Sequence, residues 1–353
     1  MIHFISKLLF GVTPQRAELP ARPERCLIIR QHNQLGDMLA TVPLFRAVKE
    51  KFPSVEVHLL ASPDNFFALT KNRYIDNLFV FDKKQIYSPA YFNKLAGFLR
   101  QGFDFVLVPG TVSISYTSCL LAGLSKSGLK IGPSSLNGKV NEGSYFFHVP
   151  VELNWADAPE RSVYRFVLEI LKPLNAENAA IRGEVTFDRE DIKEAKEFIS
   201  IKKLDSKHLI GLHVGAGKPP NVWDAGNFST LINVLISRYG ASVYLTGSSA
   251  DEQQLNLVKN RLTTDVPVYK NRSITSLAAM ISESDLFITN DTGIMHVAGA
   301  TLVPQISLFG PTNPDNWAPP GENKINLRKT DKINDITVDD VLQVCERILN
   351  GEK

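Results

Sequence analysis

The sequence predicts an α/β fold used twice, with two halves that each carry a mainly parallel sheet covered by helices on both faces. Short apolar, β-branched runs alternate with segments of helical period along the whole chain. Those runs are continuously apolar, as strands buried on both faces require. The alternation stops once, at a charged helix-like stretch (188–204), and then restarts. At 353 residues and 44% apolar content, the chain is long enough for two cores of ordinary size. The boundary falls between 170 and 190 and is drawn at 180, giving halves 1–180 and 181–353, with the last helix able to pack back on the first half.

In the first half, CLIIR (26–30) reads as a buried strand. A loop and a helix from about 37 to 51 follow, the helix with Leu39, Val42, Leu44, Phe45 and Val48 on its apolar face. VEVHLLA (55–61), NLFVFD (77–82) and FDFVLVPG (103–110) are the next strands, with helix-like segments between them. The apolar stretch 103–124 contains Asp104, Pro109 and many hydroxyls, so it reads as a strand and a helix and not as a membrane span. In the second half, strands are expected at 208–214, 241–247, 285–290 and 303–310, and helices at about 226–239, 250–261, 274–283 and 292–299. Two open sheets of this kind place a ligand outside the carboxyl ends of the strands, in a cleft between the halves.

Composition excludes several classes. Thirty-nine basic against 37 acidic side chains give a formal charge of +2, which argues against wholesale nucleic-acid binding. Cys26, Cys119 and Cys345 are odd in number and far apart, so neither a disulfide frame nor a zinc site is indicated, and a reducing cytosol suits the chain. MIHFISKLLFGV is too short an apolar run for a secretory signal. It reads as a short amphipathic helix with Ile2, Ile5, Leu8 and Leu9 on one side, resting on the protein itself or on a membrane surface. Residues 1–51 lean mildly basic, an excess too small to decide a partner.

The informative loops follow the strands. After CLIIR, Gly36 allows a tight turn and Asp37 opens a helix, either as its N-cap or as a carboxylate able to take a proton. After the first strand of the second half comes GLHVGAGKPPNVWDAGNF (211–228). A nucleotide P-loop ending at Gly217 and Lys218 would need glycine at Leu212 and Ser or Thr at Pro219; a dinucleotide fingerprint fails at Pro220. What remains is generic: Gly215, Ala216 and Gly217 let backbone N–H groups approach an anion, and Lys218 adds a mobile charge. An ordinary βα loop is the competing reading.

In NDTGIMHVAGA, Asn290, Asp291 and Thr292 can cap a helix, Gly293 leaves its first turn bare, and His296 shares the face of Thr292 and Gly293. FGPTNPDNW adds Gly310, Thr312 and Asn313 at the same sheet edge, or is a plain turn. In TGSSADEQQ, Ser248, Asp251 or Glu252 can bond ribose hydroxyls, although an acidic first helical turn explains both acids equally well. No Asp-x-Asp triplet occurs, so charge on a diphosphate would fall to Lys218, helix termini and His296.

QLGDMLATVPLFRAVKEKFP, HVGAGKPPNVW, NDTGIMHVAGA and FGPTNP, in this order, resemble the family 9 glycosyltransferases, the ADP-heptose:lipopolysaccharide heptosyltransferase group, from about Leu27 to Trp317. The resemblance implies a GT-B fold of two Rossmann-like domains, with the acceptor on the first and the nucleotide sugar on the second. It also implies inverting transfer of a heptose or related sugar from an ADP-sugar to a lipopolysaccharide-core or similar glycan, with no cofactor and no metal, at the cytoplasmic face of the inner membrane. On that pattern Asp37 is the general base, with Gln34 and Gly36 beside the acceptor. Lys218 stabilises the leaving diphosphate, while Gly215, Ala216, Gly217, Ser248, Glu252, Asp291, Thr292, Gly293, His296 and Thr312 surround the nucleotide sugar. Val222 before Trp223 and Asp224 after it depart from the basic residue and the proline that many members carry there. Two other readings fit the same architecture: a nucleotide-sugar epimerase or hydrolase, and a two-lobed binding protein without chemistry.

Overall fold

The structure is a computed structural model that describes residues 7–12, 19–31 and 34–351. The chain divides into two compact units, Met1–Ile181 and Arg182–Lys353. Among the described residues no helix is long and apolar enough to cross a membrane. Of the amphipathic segment at the start, Ile2 and Ile5 lie outside the described residues, and Leu8 and Leu9 are exposed.

The first unit runs β1 (Arg25–Arg30), α1 (Leu35–Leu39), α2 (Val42–Lys51), β2 (Glu56–Ala61), β3 (Asn77–Val80), α3 (Pro89–Leu99), β4 (Phe103–Leu107), α4 (Tyr116–Leu124), β5 (Ser127–Leu136), β6 (Lys139–Val140), β7 (Val149–Leu153) and α5 (Val163–Phe166). Its sheet has the order β3-β2-β1-β4-β5, all parallel, and β5 also pairs with antiparallel β6 and parallel β7. The single helix expected from 37 to 51 is two helices. Pro43 lacks the N–H that would continue the ladder to Leu39 and its ring crowds that carbonyl, so α1 ends at Leu39 and α2 starts anew with the proline in its first turn. The predicted apolar face survives the break: Leu39, Val42, Leu44, Phe45 and Val48 are all buried.

The second unit runs α6 (Arg189–Ile201), β8 (Leu209–His213), α7 (Ala225–Tyr239), β9 (Ser242–Gly247), α8 (Glu252–Lys259), β10 (Val268–Lys270), α9 (Ile274–Ser282), β11 (Leu286–Asn290), α10 (Gly293–Gly299), β12 (Gln305–Leu308), α11 (Pro314–Trp317), β13 (Lys324–Leu327) and α12 (Val338–Leu349). The sheet is parallel throughout, in the order β10-β9-β8-β11-β12-β13. Asp188 opens α6 with a capping box that it closes with Asp191. Ile210, Leu212, Leu245, Ile288 and Ile306 of the sheet pack in one cluster with Leu231 and Leu235 of α7 and Val341 and Val344 of α12. The last helix thus completes the core of its own unit.

In both sheets the strand order reverses at the centre, between β1 and β4 and between β8 and β11. The connections there leave in opposite directions and open a crevice at the carboxyl ends, the place where such sheets take ligands. Close packing in the second sheet is set by Gly211 in the middle of β8. A Cβ there would lie 2.4 Å from Tyr244 Oη and 2.7 Å from Phe287 Cδ2. Tyr244 is itself fixed by Ser284, whose hydroxyl lies 2.8 Å from its own. Gly211→Ala should therefore destabilise the protein by roughly 1–3 kcal/mol through overpacking, read as a lowered midpoint in denaturant unfolding with an unchanged slope.

Candidate functional site

The loops at the reversal of the second sheet are joined by asparagines. Asn290, the last residue of β11, is fully buried; its Nδ2 donates to the carbonyls of Val214 and Gly215, both at 3.1 Å, and its Oδ1 accepts from Trp223 N at 3.2 Å. It thereby grips both ends of the glycine loop that follows β8. Asn221, in the same loop, donates through Nδ2 to Asp291 Oδ2 at 2.8 Å and to Asp291 O at 3.2 Å. Trp223 is fully buried, and its indole N–H donates to Ile336 O at 2.9 Å. A third loop joins after β12: a Cβ on Gly310 would lie 3.2 Å from Pro220 O.

This scaffold brings several of the predicted residues together. Burial pushes the Asp291 carboxyl above its usual range, while the Thr312 hydroxyl that bonds it and the charge of Lys218 hold it partly down. Lys218, Asp291 and Thr312 therefore share one neighbourhood although they come from three different loops. Ala216 is part-buried, and Gly217 and Lys218 are exposed. Thr292 is the N-cap of α10 and makes no side-chain capping bond, so Gly293 begins the helix with its first turn uncapped by that side chain. Asn290 and Asp291 do not cap this helix as the sequence suggested, because the clamp engages both. His296 is buried in α10.

Gly215 is required by a neighbour. A Cβ at this position would sit 2.0 Å from Asp251 Oδ1. Asp251 in turn accepts the backbone N–H of Ser248 at 2.7 Å and the Ser248 hydroxyl at 2.8 Å. The Ser248 turn thus abuts the glycine loop through Asp251, with the Ser248 hydroxyl spent on the cap. Glu252 is drawn instead to Lys270, with which it forms an ion pair. Beneath the loop His213 is buried, its Nδ1 3.1 Å from Thr246 Oγ1. Burial pushes its pKa down, against the smaller opposing pull of Asp251.

At the reversal of the first sheet, Asp37 is not an N-cap. Gln34, exposed, takes that position; Gly36 and Asp37 lie in the first turn of α1. The Asp37 side chain is turned inward, 3.6 Å from Arg30 Nη2, with both side chains only 2% exposed. Thr111 donates its hydroxyl to Asp37 Oδ1 at 3.2 Å and accepts from Arg30 Nη2 at 2.9 Å. Arg30 also donates to Thr41 Oγ1 at 3.2 Å and to Pro109 O at 3.4 Å, and Thr41 donates to Asp37 O at 2.7 Å. Burial lowers the Arg30 pKa and Asp37 raises it. The Trp155 indole donates to Thr111 O at 2.8 Å, fixing the loop after β4. Among the described residues no group of three or more His, Cys, Asp or Glu side chains is placed to hold a metal ion.

Sequence reasoning missed Asn221, Asn290, Arg30 and Thr111 as organisers of these loops. Asn221 and Asn290 stood inside the quoted motifs, but an asparagine in a loop or at a strand end is too common to signal a clamp. Arg30 ends a strand that otherwise reads as apolar, and that charge was a signal that could have pointed to a buried partner.

Two α/β units with these sheets and loops define the GT-B class of glycosyltransferase folds. The chain resembles solved members across nearly its whole length. The family 9 glycosyl transferase of Veillonella parvula superposes with a TM-score of 0.82 at 21% identity, over 93% of this chain and 98% of that one. Escherichia coli heptosyltransferase WaaC with ADP does so at 0.72 and 17%, over 92% and 99%. Lipopolysaccharide heptosyltransferase 3 of Escherichia coli is 24% identical over 301 residues, spanning 83% of this chain and 85% of that protein. The pattern of glycosyltransferase family 9 (heptosyltransferase) matches residues 94–342. The chain belongs to this family and is a glycosyltransferase.

Replacing Asn290 tests the clamp. Asn290→Ala leaves two carbonyls and one N–H without their partner, at about 1–3 kcal/mol for each buried group so stranded, and should lower unfolding stability by at least roughly 2 kcal/mol. Asn290→Asp keeps the acceptor for Trp223 but sets a carboxylate against two carbonyls, so it should be at least as damaging. A stable Asp variant in denaturant unfolding would show that the side chain merely fills space.

Proposed function

We propose that the protein transfers a heptose, or a related sugar, from an ADP-sugar to a lipopolysaccharide-core or similar glycan acceptor, with inversion at the anomeric carbon and without a metal. The observation that carries the reading is the convergence of Lys218, Asp291 and Thr312 beside the clamped glycine loop of a family 9 chain. Support for the substrates comes from similar proteins: a lipopolysaccharide heptosyltransferase, and a heptosyltransferase solved with ADP and with ADP-2-deoxy-2-fluoro heptose. The setting that goes with such an acceptor is the cytoplasmic face of the inner membrane.

In the proposed reaction an acceptor hydroxyl attacks the anomeric carbon in line with the leaving diphosphate. The new C–O bond forms as the bond from the anomeric carbon to the phosphate oxygen breaks, and the diphosphate leaves with that electron pair. Asp37 takes the hydroxyl proton. Thr111 and Arg30 hold its carboxylate in place. On the donor side Lys218 and the backbone N–H groups at 215–217 meet the negative charge that grows on the diphosphate. Thr292 and Gly293 lie at the same edge, and Ser248, Glu252 and His296 belong to the wider nucleotide-sugar neighbourhood in this reading.

The buried pair dictates the choice of variant. Asp37→Ala would leave the Arg30 charge buried and unpaired, a change that costs about 3–5 kcal/mol in buried pairs, so loss of activity could follow from loss of fold. Asp37→Asn removes the same charge but keeps the shape and the bond from Thr111, so its fold is checked first by denaturant unfolding. With ADP-heptose and a Kdo-lipid A type acceptor, the wild type should release ADP in the presence of a chelator. Asp37→Asn should lower kcat by about 100-fold or more with ADP affinity unchanged. Lys218→Ala should lower both donor affinity and turnover, by roughly tenfold for the loss of one charge-assisted bond. Near-normal turnover in Asp37→Asn would remove it as the base, and donor consumption without acceptor would favour the epimerase or hydrolase reading.

A further inference from the structure

The loop after β4 carries Thr111, and the way it is held gives weight to a residue that no sequence motif marks. Val108 N donates to Ile131 O at 3.0 Å, the last ladder bond beyond that strand. From Pro109 to Ile114 no backbone–backbone hydrogen bond is made among the described residues. Two side chains hold this backbone instead. Arg30 donates to Pro109 O at 3.4 Å, and the Trp155 indole donates to Thr111 O at 2.8 Å. The indole bond is the shorter of the two. A loop without its own ladder takes its conformation from such contacts, because its polar groups must be satisfied from outside.

The indole is itself seated. Its ring stacks on that of Phe166, with 4.0 Å between centroids and 10° between planes, and Phe166 is buried. Trp155 N donates to Asn137 Oδ1 at 2.8 Å, which ties its backbone to the turn between β5 and β6. Gly110, next to Thr111, lies against the end of β7, where a Cβ would stand 3.4 Å from Leu153 Cδ1. The Trp155 N–H therefore meets Thr111 from a fixed plane, and not from a side chain free to turn.

We propose that Trp155 is a positioning residue for the transfer: its indole N–H sets the backbone of Thr111 and, through the Thr111 hydroxyl, the orientation of the Asp37 carboxylate. The inference rests on the reading of Asp37 as the base. Thr111 joins the two sides. Its carbonyl accepts from Trp155, while its buried hydroxyl donates to Asp37 Oδ1 at 3.2 Å and accepts from Arg30 Nη2 at 2.9 Å. A threonine side chain is stiff at χ1, so a turn of its backbone carries the hydroxyl with it. Loss of the indole N–H leaves Thr111 O without that partner, the loop relaxes, and the hydroxyl withdraws from Asp37. A base misplaced by about 1 Å can cost on the order of 100-fold in rate. The donor is held by the second unit, so its affinity is untouched.

The test is a double-mutant cycle in the full chain, read by ADP release from ADP-heptose with a Kdo-lipid A type acceptor. Trp155→Phe keeps the stack on Phe166 and removes the N–H; Thr111→Val keeps the shape and removes the hydroxyl. Each should lower kcat by about tenfold, the worth of one hydrogen bond, with KM for ADP-heptose and calorimetric ADP affinity unchanged. Thr111→Ser, which keeps the hydroxyl, should retain most of the turnover. The double variant should be slower than Thr111→Val alone by no more than about twofold, because Trp155 acts through that hydroxyl. Normal kcat in Trp155→Phe, a weakened ADP affinity, or losses that multiply to about 100-fold in the double variant would overturn the proposal. Should Trp155→Phe fail to fold in denaturant unfolding, benzothienylalanine at position 155 retains the ring with sulfur in place of the N–H, and the same comparison decides. Near-normal turnover in Asp37→Asn would bring down the base reading itself, whereas an inactive Asp37→Asn beside a fully active Trp155→Phe would bring down the positioning role alone.

Discussion

The second unit depends on one buried amide. Asn290 stands at the end of the central strand β11 and satisfies three backbone groups of the loop that leaves the neighbouring strand. Without it, Val214 O, Gly215 O and Trp223 N would be polar groups in a dry interior, each costly to leave alone. With it, the glycine loop is tied at both ends while its middle, Ala216 to Lys218, stays toward the surface. Trp223 then drops into the core and is fixed by Ile336. The departure at Val222 and Asp224 from the common family pattern leaves this anchoring intact, because the Trp223 bonds come from its own backbone and indole. Asp224 has a role of its own: it caps α7 by accepting from Gly226 N.

The first unit solves a related problem with charge. A buried aspartate with a buried arginine is not an efficient source of stability, since desolvation of both ions offsets most of their attraction. What the pair does provide is a carboxylate of fixed orientation at the sheet reversal, held by Thr111 and backed by Trp155. Both central crevices thus carry groups whose arrangement is set by interactions across loops. In each case the fold supplies the place and a polar contact between loops supplies the precision, which is where function on a shared fold resides.

Much of this was legible in the sequence, for definite reasons. Continuous apolar strands such as CLIIR and DLFITN, and helices with a clean apolar face such as α7, follow directly from burial on both sides of a parallel sheet. The strand β5 was not legible: Gly128, Gly132 and Pro133 interrupt it, and its register shifts between Pro133 and Ser135. β10, at three residues, was too short to stand out, and β13 (KINL) alternates polar and apolar residues with no continuous apolar run. At the sites, the loops themselves were visible as glycine and Asx clusters after strands. Their division of labour was not, since Asp251 and not Glu252 reaches Gly215, and Asn290 turns from capping to clamping, through contacts between loops distant in the chain.

The central claim is that the loops joined by Asn290 hold the diphosphate of the donor. Amide hydrogen exchange with ADP bound, compared with the free protein and with adenosine, tests it most directly. The account predicts that ADP slows exchange at Ala216, Gly217, Lys218 and Gly293, whose N–H groups would face the phosphates, and that adenosine leaves them as they are. ADP that binds by calorimetry yet leaves those amides unprotected would contradict it.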